Sequence, residues 1–235
     1  MSLGARVGIL GGTLDPVHVG HIETALAARD ALALDRVLLL PSRIPPHRPL
    51  QPSASPFHRF AMAALAVNGI EGVEACDIEL VAPGTSYTAS TLERFHESGT
   101  QPSQIFFILG ADAFAEIETW NRYPRVLDMA NFVVVSRPGY DSHRIIESLP
   151  ALAGRFSTTA SARASVASDT RILILQAGTP DVSSTEIRRR LRAGEPVAGL
   201  VTEAVERHIR QHRLYMRDGS STLIHTAADH LHGEN

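Results

Sequence analysis

The stretch at residues 11–21, G-G-T-L-D-P-V-H-V-G-H, constrains this chain more than any other part of its sequence. It follows an apolar run at residues 7–10 and precedes an alanine-rich run at residues 22–28. This order predicts a strand, a tight loop and a helix. Gly11 and Gly12 allow backbone N–H groups to approach a ligand closely. The first turn of a helix offers further unpaired N–H groups, so the stretch predicts an anion-binding loop.

Two histidines, His18 and His21, lie three residues apart at the start of the predicted helix, so both rings can reach the same side of its first turn. Two imidazoles aimed at one phosphate can donate hydrogen bonds to the charge that develops in a transition state. A capping loop with two surface histidines also explains the bare H-x-G-H pattern. The stretch matches neither G-x-G-x-x-G nor G-x-x-x-x-G-K-[ST], which excludes the two common nucleotide-binding loops.

Apolar, strand-like runs alternate with helical patterns along the chain. We predict strands at residues 7–10, 36–40, 73–80, 105–109, 132–135 and 171–175. We predict helices near residues 22–32, 56–67, 91–97 and 123–129, and two amphipathic C-terminal helices at 185–192 and 197–213. This alternation predicts an α/β fold with a doubly wound, Rossmann-like, mostly parallel sheet, on which the C-terminal helices pack. In such a sheet the binding site lies at the carboxyl ends of the strands.

The chain has 235 residues, which is long enough for one domain with a substantial core. We predict one domain at residues 1–215 and a poorly ordered C-terminal tail at 216–235. Metal binding by the histidines of the tail stays open as an alternative, but they lack cysteines or carboxylates at a convergent spacing. At residues 151–169 the composition shifts to alanine, serine, threonine and arginine, which predicts a surface insertion.

Charge and cysteine content narrow the classes of function. The net charge of −3 disfavours bulk nucleic-acid binding, which normally needs a basic face. No apolar run approaches the length that spans a bilayer, so we expect no membrane partner. The one cysteine, Cys76, cannot form an internal disulfide, and residues 1–10 lack the features of a signal peptide. The cytoplasm is therefore the expected compartment.

Six ordered motifs resemble the nicotinate-nucleotide adenylyltransferases, a family of the H-x-G-H nucleotidyltransferase superfamily. The first is the stretch at 11–21, in which Leu14 replaces the family's usual phenylalanine. The others are P-P-H-R at 45–48, S-Y-T-A-S-T-L at 86–92, G-A-D at 110–112 with W-N at 120–121, S-R-P-G at 136–139 and V-S-S-T-E-I-R at 182–188. The match extends from residue 7 to about residue 215 and omits only the predicted insertion and the tail.

Most of these motifs also have a simpler structural explanation. Residues 45–48 fit a proline-rich solvated loop, and the hydroxyls at 86–92 fit the entry to a helix. Asp112 can cap the helix that follows it, and a lone tryptophan such as Trp120 is usually a core residue. A capping-box pattern begins at Ser183, so a helix starts there in any case.

The resemblance implies a role for each motif. The ATP-binding residues that it implies are Gly11, Gly12, Thr13, His18, His21, Asp112, Ser136, Arg137, Ser184, Thr185 and Arg188, with Asp112 on the ribose. The residues that it implies for a nicotinate nucleotide are Thr88, Trp120, Asn121, His47 and Arg48, the last two in a loop that closes over the phosphates. His18, His21 and Arg188 are the implied catalytic residues, because they contact the phosphates.

The implied reaction is adenylyl transfer from ATP to nicotinate mononucleotide, which gives deamido-NAD and pyrophosphate, a step of NAD biosynthesis. It needs no enzyme nucleophile, because positioning and charge stabilisation suffice. We expect Mg²⁺ to arrive with ATP, held by phosphates and water, and we expect no metal site made by the protein. Nicotinamide mononucleotide or phosphopantetheine as the acceptor, and a non-catalytic nucleotide-binding module, stay open as alternatives. The sequence leaves the oligomeric state open, a homodimer included.

Overall fold

A parallel sheet of seven strands forms the centre of the computed structural model, which describes residues 5–46, 53–136, 142–159 and 169–216. The strands are β1 (Val7–Gly12), β2 (Arg36–Pro41), β3 (Val73–Ala75), β4 (Ile105–Gly110), β5 (Asn131–Ser136), β6 (Phe156–Ser157) and β7 (Ile172–Gln176). Their order is β3-β2-β1-β4-β5-β7-β6, and each neighbouring pair is parallel. The α/β class and the doubly wound, Rossmann-like sheet are thus confirmed.

Helices cover both faces of this sheet. On one face lie α1 (Val19–Leu32), α2 (Pro56–Val67), α6 (Ser184–Ala193) and α7 (Glu203–Gln211), and on the other lie α3 (Thr88–Glu97), α4 (Ala111–Ala115) and α5 (Ser142–Ser148). Side chains alternate along a strand, so Phe107 packs into one core and Ile108 into the other. Ile187 of α6 and Val205 of α7 are fully buried in the first core, so the C-terminal helices pack on the sheet as predicted.

Strand addition reverses between β1 and β4. The strands β2 and β3 lie on one side of β1, whereas β4, β5, β7 and β6 lie on the other. The helices that follow β1 and β4 pack on opposite faces of the sheet. Their divergence opens a crevice at the carboxyl ends of the two strands, where Gly12 and Gly110 are the last residues.

The predicted strand at 73–80 is shorter in the structure and ends at Ala75. Its last bond to the neighbouring strand runs from the Cys76 N–H to the Leu39 carbonyl at 2.9 Å. A turn then begins at Asp77 and takes the rest of the predicted strand out of the sheet. This change brings the following residues to the edge of the crevice.

Two predicted helices are also shorter than their apolar patterns indicate. Within the predicted helix at 123–129, the structure has only a 3₁₀ turn, Arg125–Asp128. A seven-residue pattern is short for an α-helix in a globular protein. The last helix begins after Thr202, whose hydroxyl accepts the Val205 N–H at 3.3 Å and so caps the helix there. Residues 197–201 form a single turn before it, in which the Leu200 N–H donates to the Val197 carbonyl at 3.0 Å.

The segment at 151–169, predicted to be a surface insertion, begins inside the fold. Its first residues form a 3₁₀ helix, Pro150–Arg155, and the strand β6, which pairs with β7 at the edge of the sheet. Leu152 is buried in the second core. Residues 150–157 are therefore tied to the edge of the sheet, and the surface insertion at 151–169 stays a prediction. Residues 160–168 lie outside the described residues.

The predicted tail lies outside the described residues from position 217 onward. Within the four described ranges, no helix has both the length and the apolar character needed to cross a membrane.

Because Leu152 is buried, a substitution there tests whether residues 150–155 pack into the core at the edge of the sheet. Leu152 is 5% exposed, so Leu152→Ala should lower the free energy of unfolding by about 2–5 kcal/mol through lost apolar contacts and a residual cavity. Val81→Ala, at a side chain that is 70% exposed, is the matched control and should change it by less than about 0.5 kcal/mol. Denaturant unfolding measures both effects. Equal effects would place residues 150–155 outside the core.

Candidate active site

Two adjoining cavities occupy the crevice at the carboxyl ends of β1 and β4. The larger has a volume of about 610 Å³ and reaches the N-terminus of α3, whereas the smaller, of about 350 Å³, reaches the N-terminus of α1. Both are lined by Gly11, Leu109, Asp112 and Ala113. Ligands bound in the two cavities would therefore lie next to each other at these shared residues.

The buried carboxylate of Asp15 fixes the loop between β1 and α1. One of its oxygens accepts the Ser53 N–H at 2.8 Å, and the other accepts the Ala54 N–H at 3.1 Å and the Tyr215 hydroxyl at 2.6 Å. Burial and the neighbouring carboxylate raise the pKa of Tyr215, so its hydroxyl remains a donor. These bonds compensate for the loss of water around a carboxylate that is 3% exposed.

The guanidinium of Arg59 holds the same loop from α2. It donates to the carbonyls of Thr13 at 2.7 Å, Ala54 at 3.2 Å and Arg43 at 3.3 Å. Burial lowers the pKa of Arg59, and the charge of nearby Asp15 opposes that shift. Arg59 belongs to none of the sequence motifs, although a lone arginine within the apolar pattern of α2 is the signal that could have revealed it.

His18 and His21 lie side by side at the N-terminus of α1, in the wall of the smaller cavity. Their ring centroids are 3.8 Å apart, and the His18 N–H donates to His21 Nδ1 at 3.2 Å. This bond makes Nδ1 the acceptor atom of His21, which leaves Nε2 as its donor when the ring is neutral. Gly20 leaves room for the His18 ring, because a Cβ at Gly20 would lie 3.1 Å from two of its atoms.

Both imidazoles are held in the neutral form. Burial lowers the pKa of His18 to about 4. Burial, and then the charge of neighbouring His18, lower the pKa of His21 well below its ordinary value. A neutral imidazole still donates one N–H hydrogen bond. A polyphosphate in this cavity would raise both pKa values, since nearby negative charge favours the cationic form.

Three buried polar atoms in the cavity walls have no hydrogen-bond partner among the described residues: His18 Nδ1, Ser136 Oγ and Ser42 Oγ. His18 and Ser136 line the smaller cavity, and Ser42 lines the larger one. Buried polar atoms in proteins are normally paired. The walls are therefore suited to ligands that carry polar oxygens and N–H groups.

The predicted residues of α6 lie beside the loop rather than in the cavities. The Ser184 hydroxyl donates to the Pro16 carbonyl at 2.9 Å, and Arg188 Nη1 donates to the Asp15 carbonyl at 2.6 Å. Arg188 also bonds to the Thr185 hydroxyl at 3.3 Å. The described residues that line the two cavities do not include these three. Their observed contacts hold the loop, and contact with ATP stays a prediction.

The larger cavity combines an aromatic wall with a helix N-terminus. Trp120 is half-buried and packs edge-on against Phe107, with ring centroids 6.0 Å apart. Thr88 and Asn121 lie in the same wall. Thr88 is the first residue of α3, so the N–H groups in the first turn of α3 have no partner within the helix. The backbone N–H of Trp120 donates to the Ile117 carbonyl at 3.0 Å and is therefore not available to a ligand. This cavity suits a planar ring with an anionic group.

Glu79 is a buried carboxyl group in the wall of the larger cavity, and no sequence motif predicts it. The Thr91 hydroxyl donates to it at 2.6 Å, and the Ser86 side chain bonds to it as well. Burial raises the pKa of Glu79, and these two bonds oppose the shift. The Ser86 hydroxyl oxygen also accepts the Arg43 N–H at 2.8 Å. Glu79 therefore holds the entry to α3 against the loop after β2.

Asp112 lies in the first turn of α4 and lines both cavities. Gly110 is the N-cap residue of this helix, so the explanation of Asp112 as a cap is wrong. The carboxylate of Asp112 is exposed at the point where strand addition reverses, and there it can accept hydrogen bonds from a sugar.

Three predicted site residues, His47, Arg48 and Arg137, lie outside the described residues. The loop that leads to His47 is described as far as Pro46, which lines the larger cavity together with Pro45.

Comparison with known sequences identifies relatives over nearly the whole chain. The model of the cytidylyltransferase-like family matches residues 9–190. Two curated relatives carry the name "probable nicotinate-nucleotide adenylyltransferase". The one from Desulfatibacillum aliphaticivorans is 38% identical over 219 residues, which cover 90% of this chain and 100% of the relative. The one from Roseiflexus sp. (strain RS-1) is 40% identical over 211 residues, which cover 90% and 98%.

Solved structures share the architecture. Nicotinic acid mononucleotide adenylyltransferase of Plasmodium falciparum, complexed with NaAD, aligns with a TM-score of 0.68 and 15% identity over 90% of this chain and 97% of that chain. The same enzyme complexed with APC aligns with a TM-score of 0.66 and 16% identity over the same shares. At this level of identity the likeness shows the fold.

The lowered pKa of His18 predicts a loss of stability in mild acid. Its pKa is about 4 in the folded chain against the ordinary 6.5, so the unfolded state binds more protons between these pH values. Stability should therefore fall as the pH decreases through this range, by about 2 kcal/mol from His18 alone between about pH 7.5 and pH 5. Urea unfolding at both pH values measures the loss.

His18→Gln should remove this part of the acid-induced loss. His96→Gln, which removes an imidazole that lines neither cavity, is the matched control and should keep the wild-type response. An unchanged acid-induced loss in His18→Gln would contradict the lowered pKa.

Proposed function

Because the chain belongs to the cytidylyltransferase-like family and, within it, to the nicotinate-nucleotide adenylyltransferases, we propose that it transfers the adenylyl group of ATP to nicotinate mononucleotide. The products are deamido-NAD and pyrophosphate, and the reaction is a step of NAD biosynthesis. The observation that carries the proposal is the pair of adjoining cavities that share Gly11 and Asp112. A transfer between two nucleotides needs this arrangement, because the reacting atoms must be held together. We expect the enzyme to act in the cytoplasm, in keeping with its single cysteine.

In this reaction a phosphate oxygen of nicotinate mononucleotide attacks the α-phosphorus of ATP. A new P–O bond forms as the bond from the α-phosphorus to the bridging oxygen breaks, and pyrophosphate leaves with that electron pair. A phosphate monoester with a second pKa of about 6 is mostly dianionic at neutral pH, so the attack needs no general base. Catalysis depends on positioning and on stabilisation of the developing charge.

The smaller cavity takes ATP in this proposal. His18 and His21 donate the N–H groups of their rings to the phosphates at the N-terminus of α1. Asp112 accepts hydrogen bonds from the ribose, and the unpartnered hydroxyl of Ser136 faces the same ligand. Arg188 holds the Asp15 carbonyl and, together with Ser184 and Thr185, adds contacts to the triphosphate.

The larger cavity takes nicotinate mononucleotide. The half-buried face of Trp120 stacks on the pyridine ring, and the N-terminus of α3 at Thr88 receives its carboxylate. Asn121 adds its backbone N–H at the same wall. His47 and Arg48 bind the phosphates in this proposal.

Mg²⁺ enters with ATP in this proposal and neutralises negative charge on the triphosphate. The buried carboxylate within the loop between β1 and α1, Asp15, already accepts hydrogen bonds from Ser53, Ala54 and Tyr215. Both of its oxygens therefore already accept hydrogen bonds from the protein. Phosphates and water hold the ion instead, which is usual for Mg²⁺.

Pyrophosphate release from ATP with three separate acceptors tests this function. A carboxamide would present its own NH₂ to the N–H donors at the N-terminus of α3, whereas the carboxylate of nicotinate accepts from them. An unmatched buried donor costs about 1–3 kcal/mol, so two of them should favour nicotinate over nicotinamide mononucleotide by about a hundredfold or more in kcat/KM. Phosphopantetheine should give no turnover.

His21→Ala is the control that ties the activity to this site, and its kcat should be roughly 10²–10³-fold lower. Equal kcat/KM values for the two mononucleotides would contradict the nicotinate preference. Absence of turnover with every acceptor would indicate a non-catalytic nucleotide-binding module instead.

Trp120→Ala should weaken the binding of nicotinate mononucleotide selectively. Loss of a stacked ring worth about 1 kcal/mol should raise the KM for this substrate at least about fivefold. The KM for ATP should change little, because Trp120 lines only the larger of the two cavities. Trp120→Phe, which keeps a flat ring, is the matched control. Steady-state kinetics with each substrate varied in turn would contradict the assignment if both KM values rose equally.

A further inference from the structure

Three histidines from two helices converge at a place that is separate from both cavities. His58 lies in the first turn of α2, and His208 and His212 are one turn apart at the C-terminal end of α7. His58 Nδ1 and His208 Nε2 are 3.2 Å apart. One nitrogen from each of the three rings lies within 4.8 Å of the other two. The described residues that line the cavities do not include these three.

The spacing of these nitrogens is close to that of a metal centre. Zinc binds imidazole nitrogens at about 2.0–2.1 Å, so two ligand atoms of a tetrahedral site are about 3.3 Å apart. The distance between His58 and His208 already has this value. His212 is exposed, so a rotation of its side chain can bring the third nitrogen in. A hydrogen bond between His58 and His208 alone would not account for the third ring.

The donor set selects a class of ion. Among the described residues, the converging group contains three imidazoles and no carboxylate. Imidazole ligands suit Zn²⁺, Cu²⁺ and Ni²⁺, whereas Mg²⁺ and Ca²⁺ prefer oxygen. We propose that His58, His208 and His212 bind one divalent transition-metal ion of the zinc class, with water at the exposed fourth position. This site is independent of the Mg²⁺ that arrives with ATP.

The two helices that this ion would join also support the loop between β1 and α1, residues 13–18, which we call the phosphate loop. Arg59, next to His58, and Tyr215, three residues after His212, both donate hydrogen bonds to the loop between β1 and α1. An ion that bridges α2 and α7 would cross-link these two supports. Because the ion binds the folded chain in preference to the unfolded one, it should raise the Tm.

Isothermal titration of Zn²⁺ into the untagged, chelator-treated full-length chain tests the site. We expect one ion per chain and a higher Tm in its presence. His212→Gln alters an exposed ligand and should lower the affinity for Zn²⁺ at least about tenfold, because even the loss of an outer-shell partner commonly costs 10–100-fold. His58→Gln should have the same effect, and both variants should lose the Zn²⁺-dependent rise in Tm.

The tail supplies a matched control, because a triple substitution of His225, His230 and His232 by glutamine removes the same number of imidazoles from elsewhere in the chain. This variant should bind Zn²⁺ like the wild type. Wild-type affinity in both His58→Gln and His212→Gln, loss of binding in the tail variant, or no saturable binding by the wild type would each overturn the proposal. A metal-free Tm of His212→Gln equal to that of the wild type shows that the fold is intact.

Discussion

The buried carboxylate of Asp15 is the contact on which the rest of the site depends. It gathers N–H groups from Ser53 and Ala54 and a hydroxyl from Tyr215, while its own backbone carbonyl receives Arg188. These partners precede α2, follow α7 and lie on α6, so one residue links the phosphate loop to three distant segments. Each donor left unpaired in a buried place would cost about 1–3 kcal/mol. The loop therefore acquires its shape only when the whole chain has folded.

The topology of the sheet sets the position of the crevice beside this loop, and burial sets the protonation state of the histidines in its wall. Reversed strand addition between β1 and β4 sends α1 and α4 to opposite faces, and the two cavities open between them. Within the smaller cavity, His18 and His21 are partly shielded from water and neutral. Interactions between phosphates and donors are stronger there than in water. The negative charge of a bound nucleotide would raise the pKa of both rings and favour their protonation.

Features that short motifs specify can be predicted from the sequence, whereas features that depend on contacts between remote segments cannot. The order of strands and helices, and the placement of His18, His21, Asp112 and Trp120 around one crevice, follow from patterns within a few dozen residues. Glu79 is missed because it lies in a strand-like run that leaves the sheet after Ala75. The cluster of His58, His208 and His212 is missed because 150 residues separate its two halves. No local spacing rule for metal ligands covers such a separation.

The sequence by itself determines the elements whose cause is local. The apolar run, the glycines and the helical pattern from Val7 to Leu32 produce a strand, a loop and a helix, and Ser183 caps α6 through the Glu186 N–H at 3.2 Å. Tertiary structure alone decides which polar groups are buried and which groups pair. The lowered pKa of His18, the pairing of Asp15 with Tyr215 and the burial of Leu152 all belong to this second class. The physical reason is that burial and pairing depend on which segments pack around a residue, and those segments are remote along the chain.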